Sequence, residues 1–100
     1  MNKLVRDFIP QIIESAGKTP IGYVADEEEY QKRILDKLIE EANELKEAQS
    51  LEELADVLEV IDAIYVTFQF REEDVHKVKE DKKKERGGFL ERYILRDVVK

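Results

Sequence analysis

The sequence predicts an all-α protein built on an antiparallel helical hairpin, and three observations lead there. Two helix-start signatures occur in succession, Asp26 with Glu29 and Ser50 with Glu53, each a capping residue followed three positions later by glutamate. The connection between the two helices they open, Gln49-Ser50, is so short that the helices must be antiparallel neighbours. Apolar residues then recur at three- and four-residue steps along both helices.

Taken in order, Asp7 is placed to cap a short first helix with Pro10 in its first turn and Gly17 at its end. Thr19 to Val24 reads as an extended connector. The second helix runs from Asp26 to about Gln49, with an apolar seam at Ile34, Leu38, Leu45 and Ala48 whose rhythm is completed only by Glu41. The third helix opens at Ser50, and its seam reads Leu51, Leu54, Leu58, Ile61, Tyr65 and Phe68. A charged fourth helix is expected from about Glu73 to Arg86, stopped by Gly87-Gly88. The tail Phe89 to Leu95 is read as a short extended strand, paired with Ile21 to Val24.

The chain of 100 residues forms one domain, residues 1–100, and a chain of this length buries only about 60 to 70% of its unfolded surface. The stretch from Leu54 to Phe70 is apolar on nearly every face, more than one short chain can cover, so a homodimer is expected, with a tetramer as its extension. Without cysteines, disulfides and thiolate metal sites are excluded. The N-terminal residues lack the pattern of a cleaved leader, and no uncharged apolar stretch reaches about 18 residues, so a cytoplasmic protein is expected with no membrane partner. A formal charge of -7 argues against a nucleic-acid polymer as partner. A small phosphate ligand remains compatible with the basic run Lys77 to Arg86.

The chemistry concentrates in acids. Leu54 to Phe70 carries Asp56, Glu59 and Asp62 with no Lys or Arg among them. Buried carboxylates are normally paired or bound to metal. Glu41 stands where a leucine is expected, Glu44 is its neighbour on the same side, Glu40 is at the edge, and Glu53 and Asp56 lie near the facing end of the third helix. Such a set suits a hard divalent cation. Glu27, Glu28, Glu29, Glu47 and Glu52 read instead as solvated positions. Asp62 is expected to reach a cation from another element. Glu73-x-x-His76 has the spacing of half a di-iron motif, but one copy in a charged segment reads as surface. No P-loop, nucleophile elbow or Ser/His/Asp set is present.

Glu40-Glu41-x-x-Glu44 followed by Glu53-x-x-Asp56 resembles the motif of MazG-type all-α nucleoside triphosphate pyrophosphohydrolases. The opening NKLVRDFIP and the late Lys-Glu-Arg-Gly-Gly-Phe segment resemble a small phosphoribosyl-ATP pyrophosphohydrolase-like branch of them. The resemblance implies Mg²⁺ held by Glu41, Glu44, Glu53 and Asp56, with Mn²⁺ as the alternative ion, and Glu40 as helper or second-metal ligand. It implies dimerisation into a four-helix bundle and cleavage between the α and β phosphates of a small nucleotide. Glu40 and Glu44 are the candidates to orient water, and Lys3, Arg6, Lys84 and Arg86 the candidates for the phosphates. Eight residues separate Glu44 from Glu53, fewer than in many such proteins, which leaves base specificity open and keeps Glu59-x-x-Asp62 as a second candidate ligand pair. Phosphoribosyl-ATP hydrolysis and a non-catalytic helical dimerisation module are the competing readings.

Overall fold

A computed structural model of the chain describes residues 2–100. It is all-helical, with α1 Ile9–Ser15, α2 Glu27–Ala48, α3 Leu51–Thr67 and α4 Glu72–Arg86, and it has no strand among the described residues. The chain divides into two compact units, one ending at Gln69 and the other beginning at Phe70.

In the first unit α2 and α3 pack against each other as the expected hairpin. Both cap signatures form: the Asp26 carboxylate accepts from the Glu29 backbone N–H at 2.9 Å, and the Ser50 hydroxyl oxygen accepts from that of Glu53 at 3.2 Å. Each satisfies a donor that the first helical turn leaves without a partner. Gln49 makes the reversal in the left-handed conformation, with φ of 50°. At α1 the expected Asp7 cap is absent, and Phe8 precedes the helix without a capping side chain. The Ile9 N–H already donates to the Arg6 carbonyl at 3.1 Å and Pro10 has no N–H, so little remains for Asp7 to cap. Gly17, at φ of 81°, ends α1 as anticipated.

The core is small. Ile34, Val60 and the charged Glu41 are its buried residues among those described. Along α2 the inward face is the expected one, with Leu38 and Leu45 half-buried, although Ala48 is exposed. Along α3 the expected seam is only half kept: Leu51, Leu54 and Leu58 are exposed, Ile61, Tyr65 and Phe68 are half-buried, and the buried residue is Val60, with Glu53, Val57 and Ile64 half-buried. A helix that is apolar all round does not declare its inward face by spacing, and here the leucines lost to Val60 and its neighbours. At 3.6 residues per turn, Leu35 and Ile39 of α2 fall on the same flank of the hairpin as Leu54 and Leu58 of α3. Glu40, Glu44 and Asp56 fall on the opposite flank.

The second unit holds α4 and the tail. α4 carries Glu72, Glu73 and Asp74 in its first turn and Lys83, Lys84 and Arg86 in its last, the charge order that favours the helix dipole. Lys77 pairs with Asp81 at 2.9 Å, Arg71 pairs with Glu73, and Gly87 at φ of 83° follows the last turn. The expected strand over Phe89 to Leu95 does not form, nor does Ile21 to Val24 adopt one. An apolar run becomes a strand only when a ladder partner satisfies its backbone. No helix among the described residues is long and apolar enough to cross a membrane.

Candidate functional site

The hairpin brings five carboxylates from two helices into one acidic cluster. Carboxylate oxygens of Glu40, Glu41 and Glu44 lie within 4.8 Å of one another, and so do those of Glu41, Glu53 and Asp56. Glu41 belongs to both sets. It is only 7% exposed, and its Oε2, like that of Glu53, is buried with no hydrogen-bond partner among the described residues. A buried oxygen that accepts nothing is costly, so two of them aimed into one cluster point to a ligand supplied from outside the chain.

Three cations meet these acids. Arg6 donates through Nη2 to Oδ1 of Asp56 at 2.7 Å, and Lys3 donates to Oε1 of Glu40 at 3.2 Å. Lys37 donates to Oε2 of Glu40 at 3.2 Å and lies 3.5 Å from Oε1 of Glu41. Five carboxylates against three cations leave two formal negative charges over, which one divalent ion would balance. Burial pushes the Glu41 carboxyl above its usual range, the neighbouring Glu44 pushes it further, and Lys37 offsets only part of this. Burial acts in the same direction on Glu40, but the hydrogen bonds from Lys3 and Lys37 outweigh it and hold that carboxyl below its usual range. The donor set is all oxygen, the kind that Mg²⁺ and Mn²⁺ take. The residues present therefore fit a divalent ion.

The candidates from the sequence do not all come together. Glu41, Glu53 and Asp56 come together across the hairpin, whereas the exposed Glu44 joins Glu40 and Glu41 rather than the α3 acids. Glu59 and Asp62 are exposed and outside both sets, and Asp62 finds no ion-pair partner among the described residues, against the expectation that it would. Lys3 and Arg6 stand directly on the acids. Lys84 and Arg86 occupy the exposed last turn of α4 in the second unit. His76 is exposed, as expected for a surface residue.

Two residues escaped the sequence reading. Lys37 is four positions before Glu41 and three before Glu40, a helical spacing that puts a cation beside both. Arg33 pairs through Nε with Oε2 of Glu29 at 3.2 Å and donates through Nη1 to the Asn2 carbonyl at 2.9 Å. The Tyr23 hydroxyl donates to the same Glu29 oxygen at 2.6 Å, which raises the tyrosine pKa above its ordinary value. That clasp ties the connector and the N-terminal segment to α2. Its signal in the sequence was the four-residue spacing of Glu29 and Arg33.

No curated protein and no solved structure matches the chain. One family model does, that of phosphoribosyl-ATP pyrophosphohydrolase, over residues 5–82. The match takes in Arg6 and all five acids of the cluster and ends before Lys84, Arg86 and the glycine pair. Proteins of this family hydrolyse a nucleotide phosphoanhydride bond, and they sit within the MazG-like group that the acidic motif resembles. With more than three quarters of its length matched and the acids of the hairpin inside the match, the chain belongs to the phosphoribosyl-ATP pyrophosphohydrolase family.

Proposed function

We propose that the protein is a Mg²⁺-dependent pyrophosphohydrolase of the cytoplasm that converts a nucleoside triphosphate into its monophosphate and pyrophosphate. The observation that carries this reading is Glu41, a buried carboxylate shared by two acid sets and left with an oxygen that finds no hydrogen-bond partner among the described residues. Glu41, Glu53 and Asp56 hold the ion, with Glu44 as a further ligand on the α2 side. A Mg²⁺ ion bound there supplies phosphate charge neutralisation and a water of lowered pKa.

The rest falls to the chain. Glu40 or Glu44 orients the attacking water and accepts its proton. Lys3 and Arg6 contact the phosphates, where a guanidinium gives two parallel hydrogen bonds, and Lys84 and Arg86 are further phosphate contacts on their chemistry alone. Attack at the α phosphorus places the solvent oxygen in the monophosphate, and attack at the β phosphorus places it in pyrophosphate. In this reading the carboxylates serve as metal ligands and as the base while water is the attacking group, so no phospho-enzyme forms.

A second copy completes the fold in this reading. Leu35 and Ile39 of α2 and Leu51, Leu54 and Leu58 of α3 are exposed on the flank away from the acids, and pairing two such flanks makes a four-helix bundle. The description of the matching family favours one alternative substrate, phosphoribosyl-ATP. Pyrophosphate release measured over common, deoxy and modified triphosphates and phosphoribosyl-ATP, with and without Mg²⁺, separates the two. Hydrolysis in ¹⁸O-water identifies the phosphorus attacked. Orthophosphate as the first product sinks the assignment, and no turnover of any nucleotide with Mg²⁺ leaves only the helical dimerisation module.

A further inference from the structure

The N-terminal segment crosses the acidic flank as a strap held at three points. Arg6 binds Asp56, Lys3 binds Glu40, and the Asn2 carbonyl accepts from Arg33. The first two contacts link positions 50 and 37 residues apart, so they are tertiary contacts and not neighbours by sequence. Asp56 is at the same time a member of the set that puts carboxylate oxygens of Glu41, Glu53 and Asp56 within 4.8 Å. The guanidinium therefore occupies a carboxylate that the proposed function assigns to a metal ion.

We propose that the strap is an exchangeable counter-ion: Lys3 and Arg6 neutralise the acids in the metal-free chain, leave them when a divalent ion is bound, and are thereby free to take the phosphates of the substrate. This rests on the assignment of Glu41, Glu53 and Asp56 as metal ligands. Two features of the contacts make exchange feasible. The side chains of Arg6 and Asp56 are 58% and 37% exposed, so their pairing is weak enough to be displaced. A divalent cation beside Asp56 also repels the guanidinium 2.7 Å from its Oδ1, which turns an attractive contact into one between like charges. Arg33 is the positioning residue. It pairs with Glu29 rather than with the cluster and acts on the site only by holding Asn2.

The test uses the full chain and Mg²⁺ alone. The sequence has no cysteine, so Val5→Cys carries a single nitroxide in the middle of the strap. Mg²⁺ is expected to sharpen its electron-spin-resonance lines, and Glu53→Gln to abolish that response. Calorimetry on unlabelled protein is expected to show Arg6→Gln binding Mg²⁺ roughly two- to five-fold more tightly, the worth of an exposed ion pair no longer in competition. Arg33→Lys keeps the charge but cannot make both the Glu29 and Asn2 contacts, so it is expected to mobilise the label without metal and to tighten Mg²⁺ binding by a smaller factor. Mg²⁺ binding with an unchanged label spectrum and no gain in affinity for Arg6→Gln overturns the strap while the metal site stands. Absence of Mg²⁺ binding that depends on Glu53 overturns the metal site and the strap with it.

Discussion

On one flank of the hairpin Glu40, Glu44 and Asp56 meet Lys3 and Arg6, while on the other Leu35, Ile39, Leu54 and Leu58 lie exposed. The same two helices carry both flanks, with the buried line of Ile34, Glu41 and Val60 between them. The acids of that flank, taken with the buried Glu41 and with Glu53, are only partly neutralised by Lys3, Arg6 and Lys37, and the cluster falls short by two charges. The apolar flank receives no comparable cover from α1. A flank short of charge calls for an ion, and a flank short of cover calls for apolar surface, so one helix pair presents two different kinds of incompleteness.

The acidic flank is most sensitive at the residue both acid sets share. Glu41→Gln and Asp56→Asn are each expected to lower Mg²⁺-dependent pyrophosphate release by about 100-fold or more, on the scale of losing a charged group that acts in the transition state. Both variants are expected to remain helical by circular dichroism, since each keeps the side-chain shape and removes one of several repelling charges. Near-normal turnover of Glu41→Gln would show that the shared position is not a ligand.

The apolar flank is tested next. Leu58→Glu is expected to weaken self-association by about 30-fold or more, the size of a central interface residue, with sedimentation equilibrium as the readout. A wild-type chain that sediments as a monomer at micromolar concentration with intact helicity would remove this side of the comparison. Smaller again is Ser50→Ala, which deletes the cap at the start of the helix bearing both flanks. It should cost about 1 kcal/mol in urea unfolding, and Glu28→Gln, on a solvated position, within about 0.5 kcal/mol of nothing.

The pH dependence of the metal-free chain gives the finest distinction. Because the Glu41 carboxyl is raised above 4.5, the folded form holds its proton more tightly than the unfolded form does. Its contribution to stability is complete below that ordinary value and is lost as pH rises through the raised one. Glu40 runs the other way, since its contribution is present above 4.5 and is lost as pH falls through the lowered value. Melting temperature measured from neutrality down to 4.5 should therefore rise by an amount that Glu41→Gln removes. An unchanged profile in that variant would place the titration elsewhere.

The contrast also explains what could be read in the residues. Glu41 was legible because an acid interrupts an otherwise regular apolar seam, and the two caps were legible because their partners are three residues away. The inward face of α3 was not, because its leucines and valines satisfy more than one helical register and only packing against α2 selects among them. Lys3 and Arg6 could be named as cations but not placed on Glu40 and Asp56, since contacts spanning 37 and 50 residues have no local signature. The tail failed as a strand for a related reason: apolar composition supplies no ladder partner.

The whole acidic cluster is contained in the short segment from Glu40 to Asp56, folded back at Gln49. Contacts so close in sequence form early and fast, because little loop entropy is lost in making them. The like charges therefore crowd together as the hairpin first closes, before the more distant Lys3 and Arg6 can arrive. Repulsion among the carboxylates then falls on the folding barrier as well as on the finished protein, and a divalent ion present during refolding should speed hairpin closure rather than merely stabilise its product.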